Sequence, residues 1–395
     1  LKIFLQNILS STMIKKLKIE NFKSIVKQDF NFKMLNVLTG LNGSGKSSVL
    51  QILALLKQSL DINESGKTLF LVGNLISLGK SNDILYELAS SNNIKIDISS
   101  CYSTSEETSN IVLNYNINDS ENNDIIQGNV SGDSNVLKKN ISNFQYIQAD
   151  RISPRNSYPQ ASTFNRATGW LGINGEYTID YIQQNEDVIV SEKRCMKKEY
   201  SSIPEDFLTT IAPTLKLTDQ ISAWLQEISP GAQLKAEKID HIDATTLAFK
   251  YKTKSQVTSS DRRPINVGYG LTYSLPIITS CLTAKEGSIL LLENPEAHLH
   301  PRGQLKLGIL LALCAQDGVQ IFVETHSDHL LNGIRLATKK NIISSENVEV
   351  FYFDRDYETG ITQVIYPQLQ ENGRFLNWPE GFFDEWEKAL DELLS

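Results

Sequence analysis

The sequence predicts an α/β fold with a mixed-sheet core, an antiparallel β subdomain and a helical second lobe, on three observations. An apolar run, Leu35 to Leu38, leads into a glycine loop, Gly40 to Ser48, and then into an apolar-periodic segment, Val49 to Leu60, which is the order strand, loop, helix. Two further runs, Ile289 to Leu292 and Val319 to Val323, are short and wholly apolar, as strands buried on both faces of a parallel sheet must be. Between Ile14 and Phe32 the pattern instead alternates, IKKLKIENF and then KSIVKQDFNF, which predicts a β-hairpin ahead of the glycine loop.

The loop reads GLNGSGKSS, with the spacing G-x-x-x-x-G-K-S. Successive amides of such a loop point into one concavity that holds a β-phosphate, its lysine reaches the β/γ oxygens, and its serine offers a hydroxyl to magnesium. The helix N-terminus behind it favours the same anion. Asn42, Gly43, Ser44, Gly45, Lys46, Ser47 and Ser48 are therefore the expected contacts of a nucleoside triphosphate such as ATP, with Ser47 also a ligand of Mg2+. Glycine-rich turns before helices are common, and the lysine and the flanking elements set this one apart.

At 395 residues, 41% hydrophobic and 21% charged, the chain is an ordinary globular protein with room for two lobes. A formal net charge of -8 argues against a whole-surface grip on nucleic acid, while leaving DNA open as the partner of a local basic groove. The four cysteines, Cys101, Cys195, Cys281 and Cys314, lie far apart with no C-x-x-C pair, which fits reduced, packed thiols in a cytoplasmic protein. No run is long enough to span a bilayer, so no membrane partner is expected. Met13 opens the phrase MIKKLKIENFKS, and residues 1–12 read as an upstream extension, with an ordered docking helix as the competing reading.

Along the chain, Phe22 and Lys23 fall on the hairpin turn, where they can touch adenine or phosphate or serve the turn alone. Alternation marks strands at Ile94 to Ile98 and Ile111 to Tyr115. Between Ser103 and Asn143 the chain is rich in Asn, Ser and Asp and poor in large apolar residues, the composition of an exposed, peripheral insertion. The phrase FQYIQADRISPRNSYP, Phe144 to Pro159, is a short strand running into a loop. Its Arg151 and Arg155 suit phosphates or a partner's carboxylates as well as solvent, and Gln148 stands where an amide can orient magnesium or the attacking water. Thr218 to Glu227 reads as a helix ended by Pro230-Gly231, followed by strands QLKAEKI and TTLAFKYK about a turn at His241-Ile242-Asp243. Neither sustained heptads nor an internal repeat is present.

A second constellation begins at Asn266: NVGYGLTYSLPIITSCL, then SILLLENPEAHLHPRGQ, then VQIFVETHSDHLLNGI. The buried-type strand Ile289 to Leu292 ends in Glu293, with Glu296 three residues on. A carboxylate at such a strand end can hold magnesium through water, and a second can polarise the water that attacks a γ-phosphate. The plainer reading of two glutamates is an exposed helix start, which acids favour. His326 at the tip of the next strand can hydrogen-bond a γ-phosphate. His298, His300 and His326 together also raise a metal site, although no thiol or carboxylate set with zinc-type spacing completes it. Gly268 and Gly270 permit close backbone approach just before a helix whose N-terminus favours anions.

In this order, GLNGSGKSS, NVGYGLTYSLP, ILLLENPEAHLHP and VETHSDHLL resemble the motifs of ABC-type ATPase heads of the RecF and structural-maintenance-of-chromosomes kind, in the compact AAA branch found in prokaryotic anti-phage defence operons. The end of the chain, FLNWPEGFFDEWEKALDELL, is similar to a C-terminal domain of unknown function that accompanies some of them. The resemblance implies a head that clasps ATP between two copies. The phosphate loop, Glu293 toward the metal, and Glu296 and His326 toward the chemistry act from one protomer, while Asn266 to Thr272, with Gly268, Gly270 and Thr272, caps the γ-phosphate from the other. The family's signature usually carries a serine where this chain has Gly268, so that hydroxyl is missing or comes from Thr272, and slow hydrolysis is expected. Gln148 is the nominee for the family's metal-orienting glutamine.

The divisions expected on this basis are an extension at 1–12, a first ATPase lobe at 13–160, an intervening subdomain at 161–260, a second ATPase lobe at 261–345 and a C-terminal domain at 346–395. The implied function is an ATP-gated sensor or scaffold in the cytoplasm, a homodimer through ATP with scope for higher assembly, working with a separately encoded effector such as a nuclease. The alternatives are a DNA repair or recombination clamp and a chain that is itself an ATP-regulated nuclease. For the last, Asp354 and Asp356 form a D-x-D at a strand end, which a turn after the strand explains more simply. In the tail, Trp378, Phe382, Phe383 and Trp386 read as the docking of a C-terminal helix, with a partner-binding patch as the alternative.

Overall fold

The computed structural model describes residues 12–102, 108–117, 123–255 and 257–394. All but the last residue of the expected N-terminal extension therefore lies outside the described residues, and Thr12 already belongs to a strand.

The alternating start forms β1 (Thr12–Phe22) and β2 (Ile25–Asn31), paired antiparallel with Leu17 opposite Phe30. The buried strand β3 (Leu35–Gly40) feeds the glycine loop and α1 (Lys46–Ile62). Next come β4 (Thr68–Phe70), the short α2 (Ser81–Ile84), β5 (Asn93–Tyr102), β6 (Thr108–Asn116), β7 (Ile125–Ser131) and α3 (Ser134–Asn140). They are followed by β8 (Phe144–Ile147), β9 (Tyr158–Pro159), α4 (Thr163–Thr168), α5 (Thr178–Gln184), α6 (Glu205–Ile211) and α7 (Leu217–Leu225). The hairpin of β10 (Ala232–Lys238) and β11 (Ala244–Tyr251) leads into α8 (Tyr269–Thr283), β12 (Ile289–Glu293), α9 (Pro301–Gln316), β13 (Gln320–Glu324) and α10 (Asp328–Lys339). The chain closes with β14 (Val348–Arg355), β15 (Thr362–Ile365) and α11 (Glu385–Leu394).

The core sheet has the order β15-β14-β3-β13-β12-β8, parallel throughout except for β15 on its edge. Because strand side chains alternate, its residues sort onto two faces. Ile289, Leu291, Phe322, Phe351 and Phe353 share a core with α1 and an antiparallel sheet of order β2-β1-β5-β6-β7-β4. Leu290, Leu292, Ile321, Val323 and Val350 share the other with α7, α8, α9 and α10. Both faces are covered, which is why these strands read as unbroken apolar runs.

One expectation from composition is corrected here. The polar stretch Ser103 to Asn143 is not an exposed insertion, for it contains β6, β7 and α3, and Ile111, Leu113, Tyr115, Ile126 and Leu137 are buried. One apolar residue in two is enough when only one sheet face is covered, so the average composition of the stretch understates its core. Residues 103–107 and 118–122 lie outside the described residues.

At the C-terminus the anchor is Phe382, fully buried against Tyr352, Phe375, Trp378 and Phe383, rather than α11, whose Leu390, Leu393 and Leu394 are exposed. The side chain of Trp386 lies outside the described residues. All four cysteines are buried and free.

Candidate functional site

Parallel pairing lines up the ends of three neighbouring strands. Glu293 of β12 stands opposite Glu324 of β13, and Glu324 stands opposite Leu38 of β3, two residues before the glycine loop opens. Glu324 is thereby set beside the loop, and the expected acid Glu293 stands one strand further out.

The loop bends through Gly43 and Gly45, both at positive φ. Gly45, at φ 99, is the residue before α1, and a Cβ there would lie 2.6 Å from Thr362 Oγ1, so both the turn and the packing of β15 require glycine. Asn42 and Gly43 are exposed, while Ser44, Lys46 and Ser48 are buried. Lys46 Nζ donates to the carbonyls of Gly40 (3.1 Å) and Leu41 (2.7 Å) and stands 4.0 Å from Glu324 Oε1. Ser47 Oγ donates to the same Glu324 oxygen at 3.0 Å. Burial draws the Lys46 ammonium below its ordinary pKa, against the pull of Glu324, and burial raises the Glu324 carboxyl despite Ser47 and Lys46.

Glu324 is absent from the set of residues expected from sequence. Its signal lies in the register: as the last residue of a strand paired to the phosphate-loop strand, it has to end beside the loop.

Glu293 is occupied on both oxygens, taking the Tyr146 hydroxyl on Oε1 and the Ala149 amide on Oε2 at 3.2 Å. Gln148 lies beside this group, since its side chain also reaches the Tyr146 hydroxyl while donating to Leu75 O at 3.1 Å. Arg151 is neither a solvated arginine nor a phosphate ligand. It is buried, donates to the carbonyls of Glu293 and Asn294 at 2.9 Å each, and lies 5.4 Å from the Tyr273 ring. Burial lowers its pKa to about 10, opposed first by Glu296.

Glu296 is buried, and its Oε1 accepts the His326 backbone amide at 2.9 Å while Oε2 has no partner. Burial raises this carboxyl above the usual glutamate range. The His326 ring is exposed, with its pKa lowered by desolvation and then by Lys46, so near neutral pH it is uncharged and able to donate one N–H. Loop, Glu324, Glu296 and His326 therefore form one neighbourhood.

The segment from Asn266 divides in two. Asn266, Gly268 and Tyr269 are exposed, and a Cβ on Gly268 would meet nothing within 4 Å, whereas Gly270, Leu271 and Thr272 are buried. A Cβ on Gly270 would lie 2.7 Å from His298 O, so this glycine lets α8 approach the turn that follows Glu296. Thr272 does not supply an outward hydroxyl. It lies on the helix face that also carries Leu275 and Thr279, all three buried, and its Oγ1 is enclosed.

The remaining candidates have local roles. His298 packs against Tyr273 and Tyr269, and His300 caps α9 through the Arg302 amide. Among the described residues no group of three or more His, Cys, Asp or Glu is gathered around one metal position. Asp356 caps its own turn through Glu358 and Thr359, Phe22 is buried, Lys23 donates to Gln51, and the Arg155 amide meets Tyr158.

Comparison with known proteins yields two family matches. The family described as "AAA domain, putative AbiEii toxin, Type IV TA system" matches residues 35–332, and "Protein of unknown function (DUF3696)" matches residues 343–393. No curated protein matches. Among solved structures, the Smc head domain with an extended coiled coil, bound to the C-terminal domain of ScpA, from Pyrococcus furiosus is similar over 97% of this chain and 100% of that one, at 13% identity and a TM-score of 0.50. The SMC head domain from Thermotoga maritima matches at 11% identity over 89% of this chain and 98% of its own, with a TM-score of 0.44. The recombination mediator protein RecF matches at 13% identity over 90% and 98%, with a TM-score of 0.43. At 13% identity the likeness to the first of these concerns the fold alone.

Proposed function

Since the chain belongs to the family described as AAA domain, putative AbiEii toxin, Type IV TA system, we propose that it binds and slowly hydrolyses ATP and that two copies close around the nucleotide. The observation that carries this reading is the meeting of the phosphate loop with three polar groups from adjacent strand ends. Lys46 and Ser47 converge on Glu324, and Glu296 is tied to His326.

The residues fit both groups. Lys46 and the amides ahead of α1 suit the β and γ oxygens. Glu296 Oε2 and Glu324 Oε2 are buried acceptors without a protein partner, as expected of groups that face a cation or an attacking water. Magnesium, when bound, neutralises charge on the β,γ oxygens. Ser47 and Glu324, the strand-end carboxylate that takes the serine hydroxyl, are the residues to hold it. Glu296 would accept the proton of the attacking water, a role its raised pKa supports by bringing it nearer the working pH. His326, exposed beside this acid, would donate to the γ oxygens. The exposed entrance to α8, with Asn266, Gly268 and Tyr269, is offered to a second copy, whose γ-phosphate it would cap with its amides. Gly268 brings no hydroxyl to that contact, which supports a slow rate.

As a switch, the pair closes on ATP and opens on hydrolysis. The family's description as part of a toxin–antitoxin system supports a place in prokaryotic conflict, where this chain senses or scaffolds and a separate effector acts in the cytoplasm. Among the described residues no helix is long and apolar enough to cross a membrane. The test is phosphate release from MgATP together with light scattering of Glu296→Gln: the variant is expected to bind ATP, to turn over little and to accumulate as a dimer. A monomer under all nucleotide conditions sinks the proposal.

A further inference from the structure

Resting on that reading and deepening it, we propose that Glu324 is the carboxylate that positions the metal of the nucleotide site, and that Glu293 is a bracing residue. The chemistry of the hydroxyl decides between them. A serine that ligates a divalent cation gives the cation an oxygen lone pair and needs an acceptor for its own proton. In this chain that acceptor is Glu324, whose Oε1 takes the Ser47 hydroxyl at 3.0 Å. The other oxygen, Oε2, is buried without a protein partner, and the residue is 6% exposed. Glu324 can thus fix Ser47 with one oxygen and meet a metal-bound water, or the ion itself, with the other.

Glu293 is differently placed. Its two oxygens are taken by the Tyr146 hydroxyl and the Ala149 amide, and its own carbonyl is held by Arg151. Those bonds fasten the end of β12 to β8 and the loop after it, which suits a part that must not move. Sheet order makes the same point: β13 lies between β12 and the phosphate-loop strand, so a carboxylate from β13 has one strand less to cross. A small hard cation bound with nucleotide is held by one or two protein groups, with water and phosphate oxygens completing its shell. Ser47 and Glu324 meet that requirement.

The experiment titrates mant-ATP fluorescence on the full chain with Mg2+ from none to excess, for wild type, Glu324→Gln, Glu293→Gln and Ser47→Ala. Glu324→Gln is expected to raise the Mg2+ needed for half-maximal binding by roughly 10- to 100-fold, the usual effect of losing a group that orients a metal ligand, while metal-free binding through Lys46 stays within about threefold of wild type. Combined with Ser47→Ala, it should add little. Glu293→Gln should leave the Mg2+ midpoint near wild type and lower the melting temperature.

An unchanged Mg2+ midpoint in Glu324→Gln overturns the proposal, as does tighter mant-ATP binding with and without Mg2+, which would mark Glu324 as a mere counter-ion of Lys46. If Glu324→Gln misfolds, Glu324→Asp serves: a shift in its Mg2+ midpoint supports the assignment and none overturns it. A wild-type chain that binds no mant-ATP under any condition removes the ATP reading itself, a result distinct from these.

Discussion

The backbone amide of His326 donates a 2.9 Å hydrogen bond to Glu296 Oε1, so the turn that carries the histidine is tied to the buried acid in the turn after the neighbouring strand. The bond leaves Oε2 as the buried oxygen of Glu296 without a hydrogen-bond partner. Glu296→Gln keeps an acceptor for the His326 amide and removes the base. The expected outcome is a drop in steady-state phosphate release of roughly 10²- to 10⁴-fold with mant-ATP affinity little changed.

The same burial gives Glu296 a measurable effect on stability. Its carboxyl pKa is raised in the folded chain, so between the unfolded and folded values the native state binds more protons than the unfolded one, and stability falls as pH rises through that window. Glu296→Gln removes this loss. In EDTA the variant should unfold later than wild type at pH 8, by on the order of 1 kcal/mol, with the gap closing as pH approaches 4. Thermal melts across pH measure it, and a variant less stable at pH 8 contradicts the sign.

Lys46 bonds to the carbonyls of Gly40 and Leu41, and Leu41 is exposed. Water can satisfy these acceptors when the side chain is removed, so Lys46→Ala is expected to fold. The variant loses the charged contact with phosphate, worth roughly 10- to 100-fold in nucleotide affinity. Fluorescence titration with mant-ATP checks the loss, and far-ultraviolet circular dichroism checks the fold.

Much of this is legible in the chain because the sheet is buried on both faces. The runs at Leu35, Ile289 and Val319 can only be inner strands, and GLNGSGKSS marks the first of them as the one that ends in a phosphate loop. Pairing partners are not legible. Nothing local says that β13 lies between β3 and β12, and without that order Glu324 looks like one more acid before a histidine. Arg151 escapes sequence reading for a related reason: its partners are main-chain carbonyls 142 and 143 positions away, and carbonyls leave no trace in side-chain pattern. For Thr272 the obstacle is helix phase, because counting from the start of α8 puts it inward with Leu275.

Arg151 joins the ends of β12 and α8. Its guanidinium fills the carbonyls of Glu293 and Asn294 and lies over Tyr273, so Arg151→Ala strands two acceptors in a buried place and leaves Glu296 without its nearest buried cation. A loss of about 3 kcal/mol in unfolding free energy is expected, with Arg151→Lys intermediate because an ammonium cannot bridge both carbonyls in one plane. Urea denaturation followed by circular dichroism measures both.

Gly268 separates folding from assembly. Its φ is −61 and a Cβ placed there meets nothing within 4 Å, so Gly268→Trp should leave the melting temperature of the single chain unchanged. The same side chain would stand at the exposed entrance to α8, where a second copy's nucleotide is proposed to sit. Built into Glu296→Gln, which holds ATP without turnover, it is expected to abolish the ATP-dependent dimer while mant-ATP binding to the monomer persists. Gly270→Ala behaves differently, since its methyl would press on His298 O at 2.7 Å and disturb the fold before it disturbs the interface. Light scattering of the two double variants with ATP and Mg2+ separates these effects: a Gly268→Trp chain that still dimerises places the shared nucleotide elsewhere.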